Sequence, residues 1–209
     1  MSAEPFVRLT GVAAPLMRPN IDTDQITPGH TGMKVAKEEF GQGLFHHWRF
    51  RPDGSEDPGF VLNQAPFRQA RFLVAGDNFG CGSSREFAVW ALRDFGIRAV
   101  VAPGFGAIFT SNCFVNGVLP IVLDGAAVVS VAAEIVPGRE CMTVDLEREV
   151  VVSPAGHEHR FHIPAVQRER LLEGLDAIEA TRKRDAQIAA FQVRDAGRRP
   201  WLYRPGARR

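Results

Sequence analysis

The sequence predicts an α/β domain with a parallel βαβαβ centre and a small antiparallel addition. Two features predict it. Between residues 71 and 123, short apolar runs alternate with segments of helical period, the pattern of parallel strands joined by right-handed crossovers. Beyond residue 140, strand-like segments follow one another with only tight turns between them.

The elements follow in chain order. Residues 7–15 read as a strand, 34–40 as a short helix and 51–55 (Arg-Pro-Asp-Gly-Ser) as a surface turn. Loops dominate this first third, which Pro15, Pro19, Pro28, Gly29, Gly32, Gly41 and Gly43 punctuate. Residues 71–75 form a short apolar run ending in glycine, consistent with a buried strand. A helix is expected over 85–95, with Ala88, Ala91, Leu92 and Phe95 on one face and Gly96 as its stop. A strand at 98–102, a Pro103-Gly104 break, a short helix at 105–109 and a strand at 119–123 complete the centre. Strands at 143–146, 149–152 and 159–163 make the antiparallel addition. Helices at 165–173 and 176–191 follow, and Asp176 with Glu179 has capping-box spacing. Residues 1–191 are therefore read as one domain. Residues 192–209 are read as a basic, flexible tail, with six arginines against Asp195.

Composition narrows the function. The 209 residues carry a net charge of +1, so no global field recruits nucleic acid or an anionic membrane. The most apolar stretch, 118–136, contains Pro120, Asp124, Gly125 and Glu134. Each charge at bilayer depth costs roughly 2.5–3.5 kcal/mol, so a membrane span is not expected there. The N-terminal residues lack a basic leader and an apolar run, and a cytoplasmic protein is expected. Cys81, Cys113 and Cys141 have no short ligand spacing, so no metal or cluster site is expected from this chain alone.

The segment that carries chemistry is Gly76-Asp77-Asn78-Phe79-Gly80-Cys81-Gly82-Ser83-Ser84-Arg85-Glu86, between an expected strand and an expected helix. Gly80 and Gly82 allow positive φ and close backbone approach to a ligand. Free N–H groups at the helix start favour an anion, and Arg85 adds a fork suited to a carboxylate or phosphate. The loop has no lysine for a P-loop, no third glycine for a dinucleotide fingerprint and no Gly-x-Ser-x-Gly elbow. A small carboxylate survives this elimination. Ser83 and Glu86 also have capping-box spacing, so Ser83 has a purely structural reading as a helix cap. Beside an arginine at a helix N-terminus, a serine hydroxyl also sits in a field that favours its alkoxide.

Gly80-Cys81-Gly82-Ser83-Ser84-Arg85-Glu86 resembles the signature of the swivelling domain of the aconitase superfamily. Asn20-Ile21-Asp22-Thr23-Asp24-Gln25-Ile26, Leu44-Phe45-His46-His47-Trp48-Arg49-Phe50, Phe60-Val61-Leu62-Asn63, Ala88-Val89-Trp90-Ala91-Leu92 and residues 104–120 are similar to the 3-isopropylmalate dehydratase small subunits. The likeness implies a swivelling β/β/α three-layer domain. It implies a partner large subunit carrying a [4Fe–4S] cluster, none being bound by this chain, and a small dicarboxylate substrate. By motif position it implies Ser83 as the base and Arg85 as the carboxylate ligand, with Ser84 supporting the oxyanion. Gly80 and Gly82 would line the anion site, and Asp24 would lie near it. For Asp24, a turn-forming role at a strand end is the competing reading. His46 and His47 are assigned to packing or hydrogen bonding, and Trp90 to the core.

Two departures bear on substrate. Phe87 stands where the family usually has histidine, and residues 28–34 replace a Pro-Lys-Gln-Phe-Leu-like segment with a smaller, more polar one. The primary expectation is a hydro-lyase small subunit that interconverts 2- and 3-isopropylmalate in leucine biosynthesis. The alternatives are a paralogue acting on a methylmalate or citraconate, and a non-catalytic binding protein of the same fold.

Overall fold

The computed structural model describes residues 4–29, 37–82 and 86–203. Seven strands form one sheet in the order β4-β3-β2-β1-β5-β6-β7. Its parallel half comprises β1 (Arg8–Leu16), β2 (Phe72–Ala75), β3 (Ala99–Ala102) and β4 (Leu119–Val122). Its antiparallel half comprises β5 (Cys141–Asp145), β6 (Val150–Val152) and β7 (Glu158–Arg160). β1 joins the halves, parallel to β2 with Ala13 opposite Phe72 and antiparallel to β5 with Arg8 opposite Asp145. The expected α/β class, parallel centre and antiparallel addition are all present.

The helices in chain order are α1 (Thr23–Ile26), α2 (His46–Arg49), α3 (Glu86–Phe95), α4 (Ala107–Asn116) and α5 (Gly125–Glu134), then α6 (Ala165–Glu173), α7 (Ala177–Arg182) and α8 (Asp185–Arg198). All four residues of β2 and of β3 are buried, as in a parallel sheet covered on both faces. α3 and α4 are the crossovers and pack on each other, while α5 packs across β2 and β3. α3 buries Ala88, Val89, Ala91 and Leu92, and the chain turns at Gly96 with φ +111°. α4 ends at Gly117, a left-handed C-cap whose N–H donates to the Cys113 carbonyl.

Several expectations need correction. The expected helix at 34–40 is, in its described part, a 3-10 helix over Lys37–Gly43; residues 34–36 lie outside the described residues. The short helix expected at 105–109 is the longer α4. α5 was not anticipated. The single helix expected over 176–191 is broken at Lys183-Arg184 into α7 and α8. The Asp176/Glu179 capping box is present at the start of α7. The boundary expected after residue 191 falls inside α8, which runs to Arg198, so the first part of the Arg-rich tail is helical. There the Asp195 carboxylate accepts from Arg199 Nε at 2.7 Å and Tyr203 Oη at 3.0 Å. Among the described residues no helix is long and apolar enough to cross a membrane.

One carboxylate ties the parallel half to the hairpin. Glu134, the last residue of α5, accepts from His157 Nδ1 at 2.8 Å and from the Ala155 N–H at 3.0 Å. Burial acts to raise its pKa, but hydrogen bonds from Ser153, His157 and Ala155 outweigh it and hold the group down to about 2 from an ordinary 4.5. A carboxyl depressed in the folded state stabilises fully above its unfolded pKa, and loses that contribution as pH falls through the folded value. Glu134→Gln should therefore lower the melting temperature at pH 7, with the deficit shrinking between about pH 4.5 and pH 2. A deficit in thermal melts that stayed constant across that window would contradict the assignment.

Candidate active site

Beyond the carboxyl ends of the parallel strands, the chain segments stay paired. Asn20 N–H donates to the Asp77 carbonyl at 2.8 Å, Gly80 N–H to Ile21 at 2.7 Å and Thr23 N–H to Cys81 at 3.1 Å. On the other side, Phe79 N–H donates to Gly104 at 3.0 Å and Gly106 N–H to Phe79 at 2.9 Å. The loop after β2 is thus clamped between the continuations of β1 and β3, on the edge of the sheet where ligands of open parallel sheets bind.

The glycines have distinct reasons. Gly80 is buried with φ +71°, and a Cβ there would lie 2.2 Å from Cγ of Phe109. Its missing side chain makes room for that ring. Gly106 is constrained from the other direction, because a Cβ there would lie 2.4 Å from the Gly80 carbonyl oxygen. Gly82 is exposed with φ +90°, and a Cβ there would stand 3.5 Å from Asp22 Cβ. It therefore brings the backbone past the start of α1. Sequence reasoning gave both glycines positive φ, which both adopt, and close approach to a ligand; at Gly80 packing against Phe109 is a further reason that it missed.

Ser83, Ser84 and Arg85 lie outside the described residues. The residues flanking them are fixed. At the start of α3, Glu86 Oε1 accepts from Asn116 Nδ2 at 3.0 Å, and Asn116 Oδ1 accepts from Trp90 Nε1 at 2.9 Å. Asn116 Nδ2 also donates to the Asn112 carbonyl at 2.9 Å. This buried amide locks the first turn of α3 to the end of α4, so the helix that receives the serine–arginine segment has a defined position. Trp90, assigned to the core, is half-buried with its indole N–H committed to this bridge.

Next to Gly82 opens a cleft of about 330 Å³ lined by Asp22, Asp24, Gln25, Pro28, Gly29, His47 and Trp48. Its two acids differ in role. Asp22 caps α1, accepting from the Gln25 N–H at 2.7 Å while Gln25 Oε1 accepts from the Asp22 N–H at 3.0 Å. Asp24, on the first turn of α1, is exposed on the cleft wall. The opposite wall comes from α2, which Phe45 starts in a left-handed conformation (φ 49°) while its N–H donates to the Ile26 carbonyl at 2.7 Å. Trp48 stacks on Phe45, and the Arg18 guanidinium lies 4.7 Å from the Trp48 ring. His46 packs on Phe50 as expected. His47 packs edge-on against His46 as expected, and it also lines the cleft with Asp24; with Trp48 it is a wall residue that sequence reasoning missed.

Phe87 stacks on Phe40, which also meets Trp90 edge-on. The replacement of the usual histidine is thus absorbed into aromatic packing. Pro28 and Gly29 of the divergent segment line the cleft, and residues 30–34 lie outside the described residues. The cysteines are far apart in role. Cys81 is half-buried on the site loop, Cys113 is fully buried in α4 with its thiol pKa pushed well up by burial, and Cys141 is exposed on β5. Among the described residues, no group of three or more His, Cys, Asp or Glu side chains is placed to hold a metal ion.

A glycine loop at the carboxyl ends of a parallel centre, with an antiparallel half completing the sheet, defines a class. Residues 3–126 match the family model described as the aconitase C-terminal domain. Within it, the chain is 52% identical over 207 residues to the 3-isopropylmalate dehydratase small subunit of Cupriavidus necator, covering 97% of this chain and all of that one. It is 46% identical to the small subunit of Caulobacter vibrioides, covering 94% and 98% respectively. The crystal structure of 3-isopropylmalate dehydratase from Methanocaldococcus jannaschii superposes with a TM-score of 0.66 at 28% identity, over 88% of this chain and 99% of that one. The chain belongs to the 3-isopropylmalate dehydratase small-subunit family.

Proposed function

We propose that this chain is the small subunit of a hydro-lyase that interconverts 2- and 3-isopropylmalate in the cytoplasm, serving leucine biosynthesis. The observation that carries the reading is the near-full-length identity of 52%, together with a Gly80–Gly82 loop held at the carboxyl edge of the parallel sheet. A [4Fe–4S] cluster, held by the partner large subunit, would supply the Lewis acid for the substrate hydroxyl.

This chain's part is binding and proton handling. Arg85 and the N–H groups at the start of α3 hold one substrate carboxylate, as a guanidinium fork and a helix N-terminus both favour a planar anion. Ser83, as its alkoxide, takes the proton from the carbon next to that carboxylate and the neighbouring C–O bond breaks; the departing hydroxide and the proton now on Ser83 together make the one water released, which regenerates the alkoxide, and re-addition runs the same steps backwards. Ser84 donates to the oxyanion that develops as the proton departs. Gly82 brings its backbone to the substrate. Asp24 faces the cleft where the remainder of the substrate lies, with His47 and Trp48 opposite. Bringing the two subunits together assembles a site that neither holds alone.

The test is co-expression with a cluster-bearing large subunit under anaerobic conditions, followed by assay of the purified complex on isopropylmalate and on citraconate. Turnover confined to the complex and faster on isopropylmalate is expected. A complex that prefers citraconate would move the chain to the paralogous class, and one inert on both would end the enzymatic reading.

A further inference from the structure

A second cavity, of about 200 Å³, lies at the opposite edge of the parallel half and is lined by Glu4, Arg71, Arg93, Gly96, Arg98, Asn116 and Gly117. Arg71 immediately precedes β2 and Arg98 immediately precedes β3, so both stand at the amino ends of their strands. The pairing that continues the sheet here places them side by side, with Arg98 N–H donating to the Arg71 carbonyl at 2.8 Å. A four-residue strand, about 13 Å long, therefore separates this edge from the glycine loop.

Three guanidinium groups share the cavity with a single carboxylate. Arg98 is buried and spoken for: it pairs with Glu4 and donates to the Glu4 carbonyl at 2.7 Å. Arg71 and Arg93 have no side-chain hydrogen bond or ion pair among the described residues. The Arg71 Nε–H is buried yet unpartnered, an expensive arrangement unless an acceptor arrives. Arg71 is not loosely placed, because Gly11 of β1 leaves room for its stem: a Cβ there would lie 2.7 Å from Arg71 Cγ. Burial lowers the Arg98 pKa and Glu4 opposes that, while the charges of Arg71 and Arg93 press it lower still. These groups feel one another across the cavity, and its charge is unbalanced.

We propose that this cavity binds a small oxyanion, a phosphate or a short dicarboxylate, through Arg71 and Arg93 against the Arg98–Glu4 pair. The site is separate from the dehydratase site and does not depend on the reading given above. Arg71 lines the cavity from the start of β2, and Arg93 lines it from the exposed last turn of α3. The fixed Arg98 sets the floor.

The experiment is calorimetric titration of the full chain with inorganic phosphate and, separately, with succinate, at ionic strength held constant with chloride. Saturable binding of one or both is expected, and the comparison identifies the anion preferred. Arg93→Gln, an exposed change that leaves the core untouched, should raise Kd at least about tenfold, the scale of one lost charge-assisted contact. Arg71→Gln should do the same, with a circular dichroism melt to verify folding. Arg85→Gln, in the other proposed anion site, should leave this binding unchanged. No saturable heat beyond that of chloride overturns the proposal. So does binding that survives Arg93→Gln but disappears with Arg85→Gln, since the ion would then sit at the glycine loop.

Discussion

With Ser83 replaced by alanine, the assembled two-subunit enzyme is expected to turn over about 10²–10⁴-fold more slowly, the usual contribution of a positioned proton-transfer group. KM should move little if the carboxylate is held as proposed, by Arg85 and the helix N–H groups, and co-purification with the large subunit should be unaffected. Ser83 also has the spacing of a helix cap, whose loss costs about 1 kcal/mol and about 2–4 °C in melting temperature for a chain of this size. Ser83→Asn separates the roles. Asparagine caps well but has no hydroxyl, so it should restore the melting temperature and leave kcat low. If Ser83→Asn recovered kcat along with stability, Ser83 would be a cap and the base would lie elsewhere.

Gly80→Ala is expected to be the most damaging small substitution in the site. The new Cβ would lie 2.2 Å from Phe109 Cγ, in a backbone conformation with φ +71°. Phe109 cannot withdraw. It is buried, edge-on to Phe79 at 5.4 Å and stacked on Phe105 at 6.3 Å. Left-handed backbone costs an alanine about 1–2 kcal/mol and overpacking about 1–3 more, against a total stability on the order of 5–15 kcal/mol. Urea denaturation should show a loss of roughly 2–5 kcal/mol with the slope unchanged. Gly125→Ala is the matching control: it meets nothing within 4 Å at the start of α5 and should be neutral or slightly stabilising. Comparable losses in both variants would mean that the Phe109 contact is not what selects glycine at 80.

The parallel centre was legible because its strands are short, unbroken apolar runs and because α3 has a clear apolar face ended by glycine. α5 was missed for the converse reason. Its sequence, GAAVVSVAAE, is apolar nearly all round, so composition marked it as buried material without giving a period. α4 was read too short because everything after its first three residues, TSNCFVN, has weak helix propensity, and its true end is fixed by the left-handed Gly117. In the candidate site, the glycine loop was readable as a turn with positive φ at Gly80 and Gly82, and its likeness to a family is what proposes tasks for Ser83, Arg85 and Asp24. The cleft walls were not readable. His47 and Trp48 reach it from a single helical turn that begins with a phenylalanine in left-handed conformation, which no local pattern announces. The Gly80–Phe109 fit joins residues on different elements, and the division of labour between Asp22 and Asp24 depends on a cap geometry that spacing alone leaves open.

The position of β1 matters for how the molecule is made. Of the seven strands, the central one, β1, is made before the other six, and its two neighbours are β2 and, from far later in the chain, β5. At about 5–20 residues per second, translation leaves one flank of β1 without its mate for about 3–14 s after the other could close. Throughout that interval the nascent chain displays an open strand edge of the kind that nucleates aggregation. Slower synthesis upstream of residue 141, or scarcity of chaperones, should therefore depress soluble yield more than any change to the finished protein's stability would suggest.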